Sequence, residues 1–153
     1  MTSRRTRLFN KGMMNLVTYA ETKQIKDKDL RPLYLSVGWV SYTDKIADLS
    51  TLLTDCQLVF SAWDGDKLVG LIRTVGDGVS IQYIQDFLVL PDYQKQGIGT
   101  TLFKKVLDHS KHIRQFVLMT DGGEENKATI HYYEKLGLKT FANTGICGLW
   151  RMN

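Results

Sequence analysis

Apolar positions change their period repeatedly along the chain, and the changes mark the elements. "NLVTYA" reads as a first strand. "DKDLRPLYLSVGW" then places Leu30, Leu33, Tyr34 and Val37 at helical spacing, with Pro32 where a first turn tolerates it. In "TDKIADLSTLLTDC", Ile46, Leu49, Leu52 and Leu53 share one face behind Thr43 as N-cap, which predicts a second helix. "QLVFSAW" and "LVGLIRTVG" flank the turn "DGDK" and read as a hairpin, and a second Asp-Gly turn at Asp77 and Gly78 leads into "VSIQYIQDFLVL". These three strands predict an antiparallel meander. Ile98, Leu102, Phe103, Val106 and Leu107 form the buried stripe of a third helix, and "QFVLMT" follows as a strand reached by a right-handed crossover. A fourth helix through "NKATIHYYEKLG" ends at Gly137, and "GICGLWRMN" reads as a closing strand. The order is that of an α/β (α+β) fold with a mixed sheet of six or seven strands, a central βαβ crossover and about four helices.

Length changes this picture little: 153 residues suit one domain. No apolar run approaches the roughly 20 residues that span a bilayer, so no membrane partner is expected. Cys56 and Cys147 have no neighbouring cysteine, which fits reduced thiols and a cytoplasmic location. Charge is more informative. The net charge is +4, yet Arg4, Arg5, Arg7 and Lys11 supply four of the twenty basic residues within the first 13 positions, leaving sixteen against sixteen acids. Residues 1–13 are therefore read as a disordered basic leader, residues 14–153 as the domain, and the neutral body argues against a nucleic-acid partner. A start at Met13 or Met14 suits the fold equally.

The chemistry begins at "LPDYQKQGIGTTLF". Glycine in a first helical turn costs roughly 1 kcal/mol per site against alanine, so Gly97 and Gly99 call for another reason. A strand end, a loop and a glycine-bearing helix entrance bring free amides together at the positive end of a helix dipole, a setting for phosphate. Lys95, Thr100 and Thr101 can add a charge and two hydroxyls. An ordinary glycine-containing loop is the alternative. The dinucleotide fingerprint needs a glycine where Leu102 stands, and the P-loop's Gly-Lys-Ser/Thr run is absent.

Gln94-x-x-Gly97-x-Gly99, preceded by "FLVLPDY", resembles the acetyl-CoA signature of the GNAT N-acetyltransferase superfamily. A second match lies in Asn126, Tyr133, Glu134, Lys135 and Gly137, at the family's spacing and order. Gln96 stands where the family often has Arg or Gly. The resemblance implies that Phe87, Leu88 and Val89 offer main-chain groups to pantetheine. It also implies that Gln94, Lys95, Gln96, Gly97, Ile98, Gly99 and Thr100 surround the pyrophosphate of acetyl-CoA. The Val89 amide would polarise the thioester carbonyl, Asn126 would bond pantetheine or cap its helix, and Tyr133 would reach the sulfur.

A phenol of pKa about 10 is a weaker acid than a thiol of about 8.5, so hydrogen bonding would be Tyr133's main contribution; packing beside Tyr132 is the alternative. Asp86, a carboxylate in an apolar half-strand, is a candidate to hold an ammonium or take its proton, unless it lies on the solvent side. Asp121 is a lesser candidate for that duty. His109 and His112 lack further ligands at metal spacing, so no metal is expected. Trp39 and Tyr42 stand between the first two helices, where the family builds its acceptor wall, and suit a small arylalkylamine. Aminoglycosides, polyamines, protein N-termini or lysines, and a non-catalytic CoA-binding module are the alternatives; a homodimer is left open.

Overall fold

The structure, a computed structural model, describes residues 16–152. The expected leader lies outside them. Two compact units divide the chain, the first ending at Leu118 and the second beginning at Met119.

In the first unit a five-stranded sheet runs in the order β1 (Thr18–Glu21), β2 (Leu58–Asp64), β3 (Lys67–Gly76), β4 (Ile81–Val89), β5 (Gln115–Leu118). Neighbours through β4 pair antiparallel, and β4 pairs parallel with β5. The expected meander is present. Its second turn is held by Asp77, whose carboxylate accepts the amides of Val79, Ser80 and Ile81 and the Ser80 hydroxyl. The Ser80 hydroxyl and those amides hold this carboxyl well below the usual range.

α3 (Ile98–His109) makes the crossover from β4 to β5 and buries Ile98, Leu102, Phe103 and Val106. Each such side chain contributes about 1.5–3 kcal/mol on burial. The helix comes close to the sheet because Gly70 and Gly99 lack side chains. A Cβ on Gly70 would meet Leu102 at 3.0 Å, and one on Gly99 would meet the Phe87 ring at 3.2 Å.

α1 (Asp27–Ser36) covers β3 and β4 from the face to which Asp86 and Leu88 point, and α2 (Val40–Lys45) packs on α1 and reaches β4 through Tyr42. Pro32 sits inside α1 rather than in its first turn, because the helix starts at Asp27. Its missing N–H leaves the carbonyl of exposed Lys28 without a helical partner. Gly38, at φ +75°, ends α1: its amide bonds Leu35 and the Trp39 amide returns to Tyr34, the 5→2 and 6→1 pair of a Schellman cap. The single helix expected after Thr43 is instead α2 followed by a 3₁₀ turn, Leu49–Leu53.

In the second unit, α4 (Lys127–Lys135) ends before Gly137 as its sequence predicts. The expected closing strand does not form: residues 146–152 have no regular structure. Gly145 at φ +72° breaks an extended run, and glycines at 145 and 148 raise the entropic cost of a strand.

Candidate active site

The glycine segment is built by alternating backbone handedness. A short 3₁₀ turn, Pro91–Tyr93, leaves β4 and delivers Gln94 in an extended conformation. Lys95 is left-handed at φ +60°, the only such non-glycine residue among those described, and Gly97 follows at φ +81°, ψ 0°. A left-handed Gly97 before helical Ile98 turns successive amides into one concavity. The first helical bond of α3 runs from the Thr101 amide to the Gly97 carbonyl. Among the described residues, no acceptor meets the amides of residues 95–99. A Cβ on Gly97 would stand in open space, with nothing within 4 Å. Gly97 thus leaves the cradle clear, while Gly99 serves the packing of α3 on Phe87.

The loop is braced from within. Gln94 Nε2 donates to the Val89 carbonyl at 3.0 Å, Gln96 Nε2 to that of Asp92 at 3.0 Å, and Thr101 Oγ1 to that of Gly97 at 2.9 Å. Tyr93 donates its hydroxyl to Asp64 at 2.6 Å, tying the approach to the β2–β3 hairpin.

Beside this loop, β4 outruns its neighbour. The last β4–β5 pair is Ile84 with Leu118, yet β4 continues to Val89. On the side away from β3, the β4–β5 ladder covers Ile81 to Ile84 and stops short of residues 85–89. A bulge accompanies the change: Arg73 faces Asp86 and Thr74 faces Ile84, so Gln85 is skipped in the register.

Asp86 lies on the buried side, 1% exposed. Its Oδ2 accepts the Tyr34 hydroxyl at 2.6 Å and the Nε–H of Arg73, while its Oδ1 accepts the Tyr42 hydroxyl at 2.9 Å. Arg73 also donates to the Leu52 carbonyl at 3.3 Å and approaches the Cys56 sulfur at 3.7 Å. Direct contact between Asp86 and an ammonium would require one of these donors to give way. Tyr34, Trp39 and Tyr42 form an aromatic cluster, with Trp39 stacked on Tyr42 at 5.9 Å and 22°.

In the second unit, Asn126 is the residue before α4 but makes no capping bond with its side chain. Its Nδ2 donates to the Thr120 hydroxyl at 3.1 Å and to the Asp121 carbonyl, closing the turn that contains Asp121. Tyr133 lies on α4 with its ring 5.5 Å from that of Tyr132. Among the described residues, no three His, Cys, Asp or Glu side chains are grouped to hold a metal. No helix there is long and apolar enough to cross a membrane.

The profile of the Acetyltransferase (GNAT) family matches residues 15–138. The chain belongs to the GNAT acetyltransferase family. A GNAT-family acetyltransferase from Streptococcus pneumoniae TIGR4 has a similar structure: TM-score 0.77 and 35% identity, covering 90% of this chain and 98% of that one. An uncharacterised N-acetyltransferase of Porphyra purpurea is 28% identical over 131 residues, 84% of this chain and 74% of its own length. Streptothricin acetyltransferase A of Bacillus subtilis is 27% identical over 94 residues, 61% of this chain, and the match spans 54% of that relative. The GNAT domain is an acyltransferase domain, and acetyl-CoA is its family's acyl donor.

The electrostatics of the GNAT domain follow from burial. Burial works against the charged Arg73 guanidinium, but the Asp86 carboxylate outweighs it and holds the pKa above the ordinary value. Burial first, then the Asp86 charge, push the Tyr34 and Tyr42 phenols upward. Burial and the neighbouring Tyr132 push Tyr133 up to about 12.

Sequence reasoning missed Arg73 and Tyr34 as partners of Asp86. Arg73 left a signal, since a guanidinium inside "LVGLIRTVG" needs a counter-charge once buried. Tyr34 left none, because a tyrosine on the apolar stripe of a helix reads as core.

Proposed function

We propose that this domain acetylates a primary amine carried on a small aryl or apolar body, by direct attack on acetyl-CoA in a ternary complex. The observation that carries this reading is the stacked Trp39–Tyr42 pair, whose Tyr42 hydroxyl meets Gln85 at the bulge of β4, the strand that leads on to the amide concavity at Gly97.

Acetyl-CoA supplies an acetyl thioester. The amine nitrogen forms a bond to its carbonyl carbon, the C–S bond breaks, and the proton lost by the amine balances the one gained by the departing thiolate. On this reading the amides of residues 95–99 hold the pyrophosphate, with Lys95 and Thr100 beside them, and the main chain of Phe87, Leu88 and Val89, past the last β4–β5 pair, takes pantetheine. The Val89 amide polarises the carbonyl, Tyr133 hydrogen-bonds the departing sulfur, and Asn126 shapes the turn that leads into α4. Asp86 keeps the acceptor wall in place through Tyr34 and Tyr42. The likeness to streptothricin acetyltransferase A makes that antibiotic the second reading.

Thiol release from acetyl-CoA is to be measured with phenylethylamine, tryptamine, streptothricin, spermidine, kanamycin and a peptide with a free N-terminus. The aryl amines are expected to show the highest kcat/KM; streptothricin, kanamycin or peptide turnover well above theirs overturns the acceptor class. Acetyl-CoA is expected to raise the melting temperature of the wild type and not of folded Gly97→Glu, whose carboxylate would enter the concavity. An undiminished shift in that variant removes the phosphate assignment.

A further inference from the structure

We infer that Tyr42 is the group that receives the acceptor's ammonium, and that Asp86 acts on the acceptor only by fixing the direction of the Tyr42 hydroxyl. This rests on the primary-amine reading above and adds to it a residue, an orientation and a selection rule.

The hydrogen-bond inventory of the cluster leads there. Asp86 has no capacity within reach of a ligand: Tyr34 and Arg73 occupy one oxygen, Tyr42 bonds the other, and the residue is 1% exposed. Tyr42 is half-buried and carries the polarity of that carboxylate outward. An ionised carboxylate only accepts, so the single proton of Tyr42 is committed to Asp86. Toward anything else the Tyr42 oxygen is an acceptor. One lone pair takes Gln85 Nε2 at 3.2 Å, and among the described residues the other has no donor. A phenol donating to an anion is itself a better acceptor, because hydrogen bonds in series polarise one another.

The surroundings suit an amine on a flat body. Trp39 is stacked on the Tyr42 ring, giving an apolar wall beside the hydroxyl. The Schellman cap at Gly38 sets the place of Trp39 against Tyr34, and the bulge at Gln85 puts that side chain on Tyr42. Gln85 is also the first β4 residue beyond the last β4–β5 pair, so the hydroxyl lies where β4 outruns β5. The selection rule concerns the Tyr42 oxygen alone: its remaining lone pair takes an N–H donor and offers nothing to an acceptor-only group such as a carboxylate or phosphate. Because the phenol is neutral it orients the ammonium without neutralising it, which leaves the nitrogen able to lose its proton before attack.

The test uses the full chain, acetyl-CoA and whichever amine of the panel above has the highest kcat/KM. Tyr42→Phe removes the oxygen and keeps the ring. It is expected to raise the KM of the amine roughly ten- to a hundredfold, the range of a hydrogen bond to a charged group, with the KM of acetyl-CoA and its thermal shift unchanged. Asp86→Asn is expected to raise the same KM selectively, and the double variant to be no worse than the poorer single one, since the two act through one bond. If Asp86→Asn does not fold, Tyr42→Phe decides alone. An unchanged amine KM in Tyr42→Phe, or an equal rise in both KM values as general loosening would give, overturns the assignment of Tyr42. Wild-type protein that is stabilised by acetyl-CoA yet acetylates none of the amines overturns the amine reading, and this inference with it.

Discussion

A phenol can donate to a departing thiolate only while it keeps its proton, so the fate of Tyr133 is decided by its surroundings. In the folded chain, burial and then Tyr132 push it up to about 12, against 10.0 for an unperturbed tyrosine. The folded state therefore binds this proton more tightly than the unfolded state. The associated stability is complete below pH 10 and is lost as pH rises through about 12. On the proposed role, kcat shows no downturn centred near pH 10. Tyr133→Phe is expected to lower kcat roughly 10- to 1,000-fold, with the acetyl-CoA thermal shift retained. Wild-type turnover in the Phe variant would make Tyr133 a packing residue.

At the scale of elements, the segment after α2 shows one side chain overriding a helical pattern. Ile46, Leu49, Leu52 and Leu53 have helical spacing, but Arg31 takes the carbonyls of Thr43, Ile46 and Ala47 at 2.8, 3.1 and 3.0 Å. Acceptors that a continuous helix would use internally are thereby spent on α1. Asp27 completes the clamp, pairing with Arg31 at 2.7 Å and accepting the Leu49 amide at 2.8 Å. Asp48 then caps the 3₁₀ turn through the Ser50 amide. Arg31→Met keeps the aliphatic stem and removes the donors. It is expected to lower the melting temperature and to speed hydrogen exchange at Leu49 about tenfold, leaving the amides of β2 to β4 protected. Unaltered exchange at Leu49 would show that the apolar contacts of Leu49 and Leu53 suffice.

For the whole molecule the relevant quantity is charge. Beyond residue 13 the chain carries sixteen basic and sixteen acidic residues, so no long-range field draws in or repels a small cation. Selection of the acceptor then falls to short-range groups. For a small monoamine, kcat/KM is expected to change less than about twofold between roughly 50 and 500 mM salt, a range over which the Debye length falls severalfold. A steep decline with salt would point to steering by a charged patch.

The meander, the crossover helix, the end of α4 at Gly137 and the two motifs that name the family are all legible in the amino-acid sequence. Each rests on signals confined to a few neighbours: alternation, the 3.6-residue period, Asp-Gly turns, and glycines where a helix begins or ends. The remaining features depend on contacts between distant segments. Whether Asp86 meets solvent or core depends on what covers β4, and Tyr34, Tyr42 and Arg73 reach it across 52, 44 and 13 positions of sequence. The break between α2 and the 3₁₀ turn is set by Arg31, and the division of labour between Gly97 and Gly99 by the approach of Phe87. Local pattern predicts a closing strand that does not form, because a strand needs a partner's hydrogen bonds and its own residues supply none. Local periodicity fixes what a segment can become; burial and long-range donors fix which of its polar groups remain to meet a ligand.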